Sequence, residues 1–337
     1  MNSIERIKAT VNFKASDRVP VIAQVFGHAA IIADVALSDY LQNGELLARC
    51  QIKALEHYGY DAVFALMDVN VETEAVGSVL TYRTTNYPIV KSYALSQCSK
   101  LDSLSIPDPY KAGRMPELLK AATILRNEIG DDVLVVGCVL GPMTLAIQLF
   151  GIEKALYLAI DNPESFTRLL DFSEEVVIRF GKGQIEAGAH LPIVFDPSAS
   201  PAVIPHQFFR EFELPRLKNV FTSFKQAGAI ANWLHIAGPT DSILDLYPKA
   251  GVDIANFDFC VDPLDAQRAL PQTCLDGNIK PLSFVDAASE EISAESSRLL
   301  SLFADRRGFI LSSGCEIPPE SKPENVTAMV SSVRHRM

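Results

Sequence analysis

Residues 162–197 read NPESFTRLLDFSEEVVIRFGKGQIEAGAHLPIVFDP: a long stretch of helical period, a glycine, then a short apolar run closed by Asp-Pro. The first part opens at Asn and Pro ahead of an acidic residue and stops at Gly, as capping and the helix dipole favour. A helix delivered straight into a short apolar strand is the repeating unit of parallel strands joined by crossover helices.

The same unit recurs outward in both directions. Further strand candidates are VPVIAQV (19–25), DAVFALM (61–67), DVLVVGCVL (132–140), IANWLHIA (230–237), VDIANFDF (252–259), TCLDGNI (273–279) and GFILSSGC (308–315), beside PIVFDP at 192–197. Between them lie helical patterns such as GELLARCQIKALEHYG, MPELLKAATILRNEIG, PHQFFREFELPRLKNVFTSFKQAG, TDSILDLYPKAG and KPENVTAMVSSVRHR. Eight alternating units predict an α/β fold, a single (β/α)8 TIM-barrel domain over residues 1–337. Residues 76–110 break the rhythm, with β-branched residues and Tyr alternating with polar ones, and predict a small β excursion on the barrel rim. No linker, low-complexity tract or short repeat interrupts the chain.

Hydrophobic residues make up 48% and charged residues 21% of the chain, which excludes a disordered or fibrous architecture. A net charge of -11 repels phosphate backbones and anionic lipid, so neither nucleic acid nor a membrane is expected as a partner. The N-terminus is charged from Glu5 and has no apolar leader, and no apolar run is long enough to span a bilayer; a cytoplasmic location is the expectation. Six cysteines without CxxC spacing argue against a disulfide framework or a zinc ribbon.

Chemistry in such a barrel sits at the carboxyl ends of the strands. Gln24 and His28 follow the first run, Asp68, Glu72 and Glu74 the second, Asp196 and Ser198 the run ending FDPSAS, and His235 the run WLHIA. Asp258, Asn278, Cys315 and Glu316 close the last three. His235 reads either as a hydrogen-bonded core histidine or as a metal ligand, and Cys315 either as packing or as a thiolate donor. The aspartates read equally as caps of the following turns. A His nitrogen and a thiolate make a zinc pair, yet a catalytic zinc site takes three protein ligands, and position 237 is alanine.

The ordered series FDPSAS, IPHQFFREFELP, LHIAGPT, ILDLYPKAGVD, LDGNIKP and GFILSSGCEIPPESKPENVTAMV resembles the uroporphyrinogen decarboxylase superfamily. Within it the chain looks most like the corrinoid-linked methyltransferases of methylcobamide:coenzyme M type, from residue 5 to the C-terminus and most strongly beyond residue 190. The resemblance implies zinc held by a His-x-Cys pair at one strand end and by a Cys of the last strand, which maps onto His235 and Cys315, with Ala237 at the remaining place. A carboxylate such as Asp196, Glu74 or Glu316, or a substrate atom, then stands as the alternative third donor. From their places at the strand ends, Asp68, Asp196 and Asn278 are the candidate catalytic residues and Gln24, His28 and Ser198 the candidate substrate contacts.

The implied partners are a corrinoid protein and a small methyl donor or acceptor, with a homodimer left open. Zinc would ready an acceptor thiol to take a methyl group from methyl-cobalt, or in the opposite sense polarise a methylated substrate toward cobalt(I). The decarboxylases themselves use an arginine-rich N-terminal segment for a polyanionic substrate, and this chain has no Arg or Lys between Val19 and Ala48. A decarboxylase-like enzyme and a binding paralogue without turnover are the alternatives.

Overall fold

The computed structural model describes residues 1–333. Ten strands occur in it: β1 Val21–Ile22, β2 Ala62–Ala65, β3 Val79–Thr81, β4 Ile89–Ser92, β5 Leu134–Leu140, β6 Leu191–Phe195, β7 Trp233–His235, β8 Ile254–Asn256, β9 Cys274–Ile279 and β10 Phe309–Ser313. Eight of them form one parallel sheet in the order β1-β10-β9-β8-β7-β6-β5-β2, wrapped by helices as a (β/α)8 barrel. Each of the eight apolar runs contributes one barrel strand. The first is cut to two residues because the chain leaves the ladder at Ala23 and rejoins it only through a bridge from Val25 to Ile317.

Every residue of the eight barrel strands is buried, since the inner face packs the barrel interior and the outer face packs the helices. That is why these strands read as continuous apolar runs and not as alternation. The excursion at 76–110 holds the antiparallel pair β3–β4, whose residues are mostly exposed, as expected for a hairpin on the rim. No single described helix is long and apolar enough to cross a membrane.

One helical pattern is broken where continuity was expected. PHQFFREFELPRLK folds as a short α turn, His206–Phe208, a π-helical turn, Phe209–Glu213, and then an α-helix, Leu214–Gln226. Pro215 cannot donate a backbone hydrogen bond and its ring crowds the preceding turn, so the wider π turn accommodates it.

The two end strands are joined on the amino-terminal face of the barrel through Asp61. Its backbone N–H donates to Val21 O at 2.8 Å, and its carboxylate accepts from Val21 N at 2.8 Å, Ser3 Oγ at 2.8 Å, Arg6 Nη1 at 2.7 Å and Arg18 Nη1 at 2.7 Å. This buried carboxylate fastens the N-terminal helix Ser3–Val11, β1 and β2 together. Asp61→Ala leaves the Arg18 guanidinium without a carboxylate and Arg6 with Asp17 alone, and is expected to cost about 3–5 kcal/mol of stability, checked by urea unfolding; a loss below about 1 kcal/mol would show that the clasp is dispensable.

Candidate functional site

At the opposite, carboxyl face, a cavity of about 190 Å³ opens among the strand ends. Its walls are largely apolar, with Phe26, Leu66, Met67 and Phe195 prominent, and its polar lining includes Asp68, His235, Cys315 and Glu316. Two donor residues 80 positions apart in sequence therefore face one space, because β7 and β10 both end at this rim. Ala237 lines the same cavity.

His235 is the last residue of β7, and its carbonyl accepts from Asp196 N at 2.9 Å, which fixes the strand end against β6. Its ring packs against Phe195 with centroids 4.8 Å apart, and Nδ1 is buried with no hydrogen-bond partner. Burial pushes its pKa down to about 3, so the imidazole is neutral with a lone pair to offer. The same burial pushes the Cys315 thiol up to about 12, which keeps it protonated at neutral pH unless a cation draws off the proton.

These two groups suit a borderline-soft ion such as zinc, and an orphaned buried nitrogen is what an absent ligand leaves behind. Among the described residues, however, no group of three or more His, Cys, Asp or Glu side chains is placed to hold a metal. Glu316 reaches the cavity, but its Oε1 accepts from the Tyr87 hydroxyl and burial raises its pKa to about 7. Glu74 does not line the cavity; it accepts from Arg114 Nε at 2.7 Å and from Tyr82 Oη at 2.5 Å. Among the described residues, the cavity thus offers the proposed pair His235 and Cys315 and not the three donors of a complete catalytic shell.

Asp68 lines the cavity and pairs with Arg114, which donates to its two oxygens at 2.5 and 3.2 Å. Arg114 also bonds Glu74 and Leu41 O, so one guanidinium locks the β2 end and the following helix, Val71–Val76, in place. Sequence reasoning passed over Arg114 because it sits in the loop YKAGRMP, far from any strand end. Only its charge amid buried surroundings marks it.

Asp196 is fully buried and is not among the residues lining the cavity. Its Oδ1 accepts from Thr144 N at 2.8 Å and Thr144 Oγ1 at 2.6 Å. Its neighbour is Glu213 of the π turn, likewise fully buried; proximity and burial raise the Glu213 pKa well above the carboxylate range, so that Glu213 holds a proton against the Asp196 carboxylate. Asn278 also lies off the cavity, donating to Asp258 O at 3.2 Å and Val261 O at 3.0 Å.

The three residues expected to contact substrate are tied to protein. Gln24 donates to Ser313 O at 3.1 Å inside the barrel. His28 has Nδ1 at 2.9 Å from Pro319 O and Nε2 at 2.7 Å from Tyr58 Oη, which leaves neither ring nitrogen for a ligand. Ser198 donates its backbone N–H to Thr144 Oγ1 at 3.0 Å, and none of the three lines the cavity.

The model of the family uroporphyrinogen decarboxylase (URO-D) matches residues 2–336, and the chain belongs to that family. It is 29% identical over 334 residues to the methylcobamide:CoM methyltransferase MtaA of Methanosarcina barkeri, covering 97% of this chain and 96% of that protein. It is also 27% identical over 300 residues to the uroporphyrinogen decarboxylase of Syntrophotalea carbinolica, covering 87% and 84% of the two chains. A solved structure described as a methyltransferase from Methanosarcina mazei superposes with a TM-score of 0.90 at 26% identity, over 98% of each chain.

The folded-state pKa of Glu316, about 7, lies above the ordinary 4.5, so the folded protein holds this proton more tightly than the unfolded chain. Its contribution is present below the lower value and lost as pH rises toward the upper one. Glu316→Gln is therefore expected to flatten, though not abolish, the fall in stability between those two values, since Glu72 and Asp276 are raised to about 7 in the same way. Denaturant midpoints measured across that range check it; an unchanged slope would mean that Glu316 is ionised in the fold.

Proposed function

We propose that this protein is a corrinoid-dependent methyltransferase that moves a methyl group between a corrinoid protein and a small thiol or methylated compound, with zinc held by His235 and Cys315. The observation that carries this reading is the meeting of those two side chains in one cavity at the carboxyl end of the barrel, in a chain whose relatives include methylcobamide:CoM methyltransferases. The cationic lining that a polyanionic porphyrinogen needs is missing: no Lys or Arg is among the residues around this cavity, which makes the decarboxylase reading the weaker one.

When bound, zinc would lower the proton affinity of an acceptor thiol or polarise the heteroatom of a methylated donor. His235 offers its neutral ring without a protonation cost at physiological pH. Cys315 can serve only after losing the proton that burial otherwise holds up to about 12, so metal affinity should rise with pH. With Ala237 at the third place, substrate or water must supply what the protein does not.

The remaining residues position and enclose. The apolar walls exclude water from the reacting centre. Asp68, held by Arg114, is one of two carboxyl groups facing the cavity, beside Glu316, and is assigned the task of orienting the substrate. Asp196 and Asn278 act through the backbone: the Asp196 N–H holds the His235 carbonyl, and the Asn278 carboxamide holds the loop after β8.

His235→Ala and Cys315→Ser are each expected to remove zinc and to cut demethylation of methylcobalamin by roughly two orders of magnitude. Metal analysis of the purified protein, alongside the cobalamin spectrum with candidate thiols and methoxylated compounds, checks both. Full methyl transfer by metal-free wild type would defeat the zinc assignment, and binding of a corrinoid protein without any turnover would favour the inactive paralogue.

A further inference from the structure

The cavity beside His235 and Cys315 has a charge pattern that restricts what can enter it. Two carboxyl groups line it, Asp68 and Glu316, and no Lys or Arg does. The nearby guanidinium of Arg114 is already committed: Nε donates to Glu74, Nη1 to Asp68 and Leu41 O, and Nη2 to Asp68. The carboxamide of Asn70, also in the lining, donates to Pro88 O at 2.9 Å. An anion placed here would lose its hydration, meet two carboxyl groups, and find no unpaired Lys or Arg side chain among these groups to replace the water.

An ammonium would fare little better. The charge of Asp68 is matched by Arg114, and Glu316 is occupied by the Tyr87 hydroxyl. What the cavity does offer is carbon surface, including the edge-to-face pair Phe26–Phe195 at 5.9 Å, in a volume of about 190 Å³, enough for one substituted ring or a short alkyl chain.

Resting on the methyltransferase reading, we infer that the methyl donor or acceptor of this protein is a small compound with an uncharged, apolar body, and that the cavity discriminates against acceptors with an anionic tail. In this the chain would part from a methyltransferase whose acceptor thiol carries a sulfonate. The discrimination comes from the carbon lining, from the lack of Lys and Arg around the cavity and from the saturation of Arg114, not from the size of the cavity.

The test uses three thiols with the same two-carbon arm and different tails: 2-phenylethanethiol, 2-mercaptoethanesulfonate and thiocholine. Each is titrated calorimetrically into the full-length protein, at one fixed zinc content and without corrinoid. The phenyl thiol is expected to bind at least about tenfold tighter than the sulfonate, the size of effect that one missing charge-assisted hydrogen bond produces. Tighter binding of the sulfonate, tighter binding of thiocholine, or no binding of the phenyl thiol would overturn the inference. Methyl transfer is assayed separately. If transfer fails while the order of binding stands, the proposed function falls and the selectivity survives; if the order reverses while transfer persists, the opposite holds.

Discussion

The buried carboxylate of Asp61 is the interaction on which the arrangement rests. Its backbone joins the two end strands of the eight-stranded sheet, and its oxygens gather Ser3, Arg6 and Arg18 from the N-terminal segment. An open sheet would leave β1 and β10 far from β5 and β6. Once the sheet closes, residues that no local interaction relates are set around a common axis. The clasp lies on the amino-terminal face and the candidate site on the carboxyl face, so stability and chemistry are carried by opposite ends of the same strands.

Burial is the second organising force, and its effect depends on the charge state of each group. It holds His235 neutral, keeps the Cys315 thiol protonated and raises Glu316 to about 7. A cation is then the one kind of partner that relieves both donors, accepting the imidazole lone pair and displacing the thiol proton. The same desolvation turns the cavity against anions, since Arg114 is already held by Asp68 and Glu74. The proposed metal binding and the inferred selectivity toward the ligand body thus have one cause.

Much of this was legible in the sequence, for a reason that can be stated residue by residue. Runs such as LVVGCVL are wholly apolar because both faces of a barrel strand are covered, and the residue closing each run is by construction at the rim. That logic picked out Asp68, His235, Cys315 and Glu316, which share a cavity. It could not separate them from Asp196, Asn278, Gln24 or His28, which end or follow strands equally well but turn to protein partners. Arg114 and Glu213 were missed because one lies in a loop and the other in the π turn forced by Pro215, and neither carries a strand-end signature.

Taken by itself, the sequence determined the fold class, the strands and the short roster of side chains at their ends, because apolar run length and helix punctuation are local properties of the chain. The tertiary structure alone decided which of those side chains share a space, which are spent on Arg114, Thr144 or Tyr87, and that among the described residues His235 and Cys315 face the cavity without a third donor grouped with them. Those outcomes depend on distances between segments tens to hundreds of residues apart. Only closure of the barrel sets such distances.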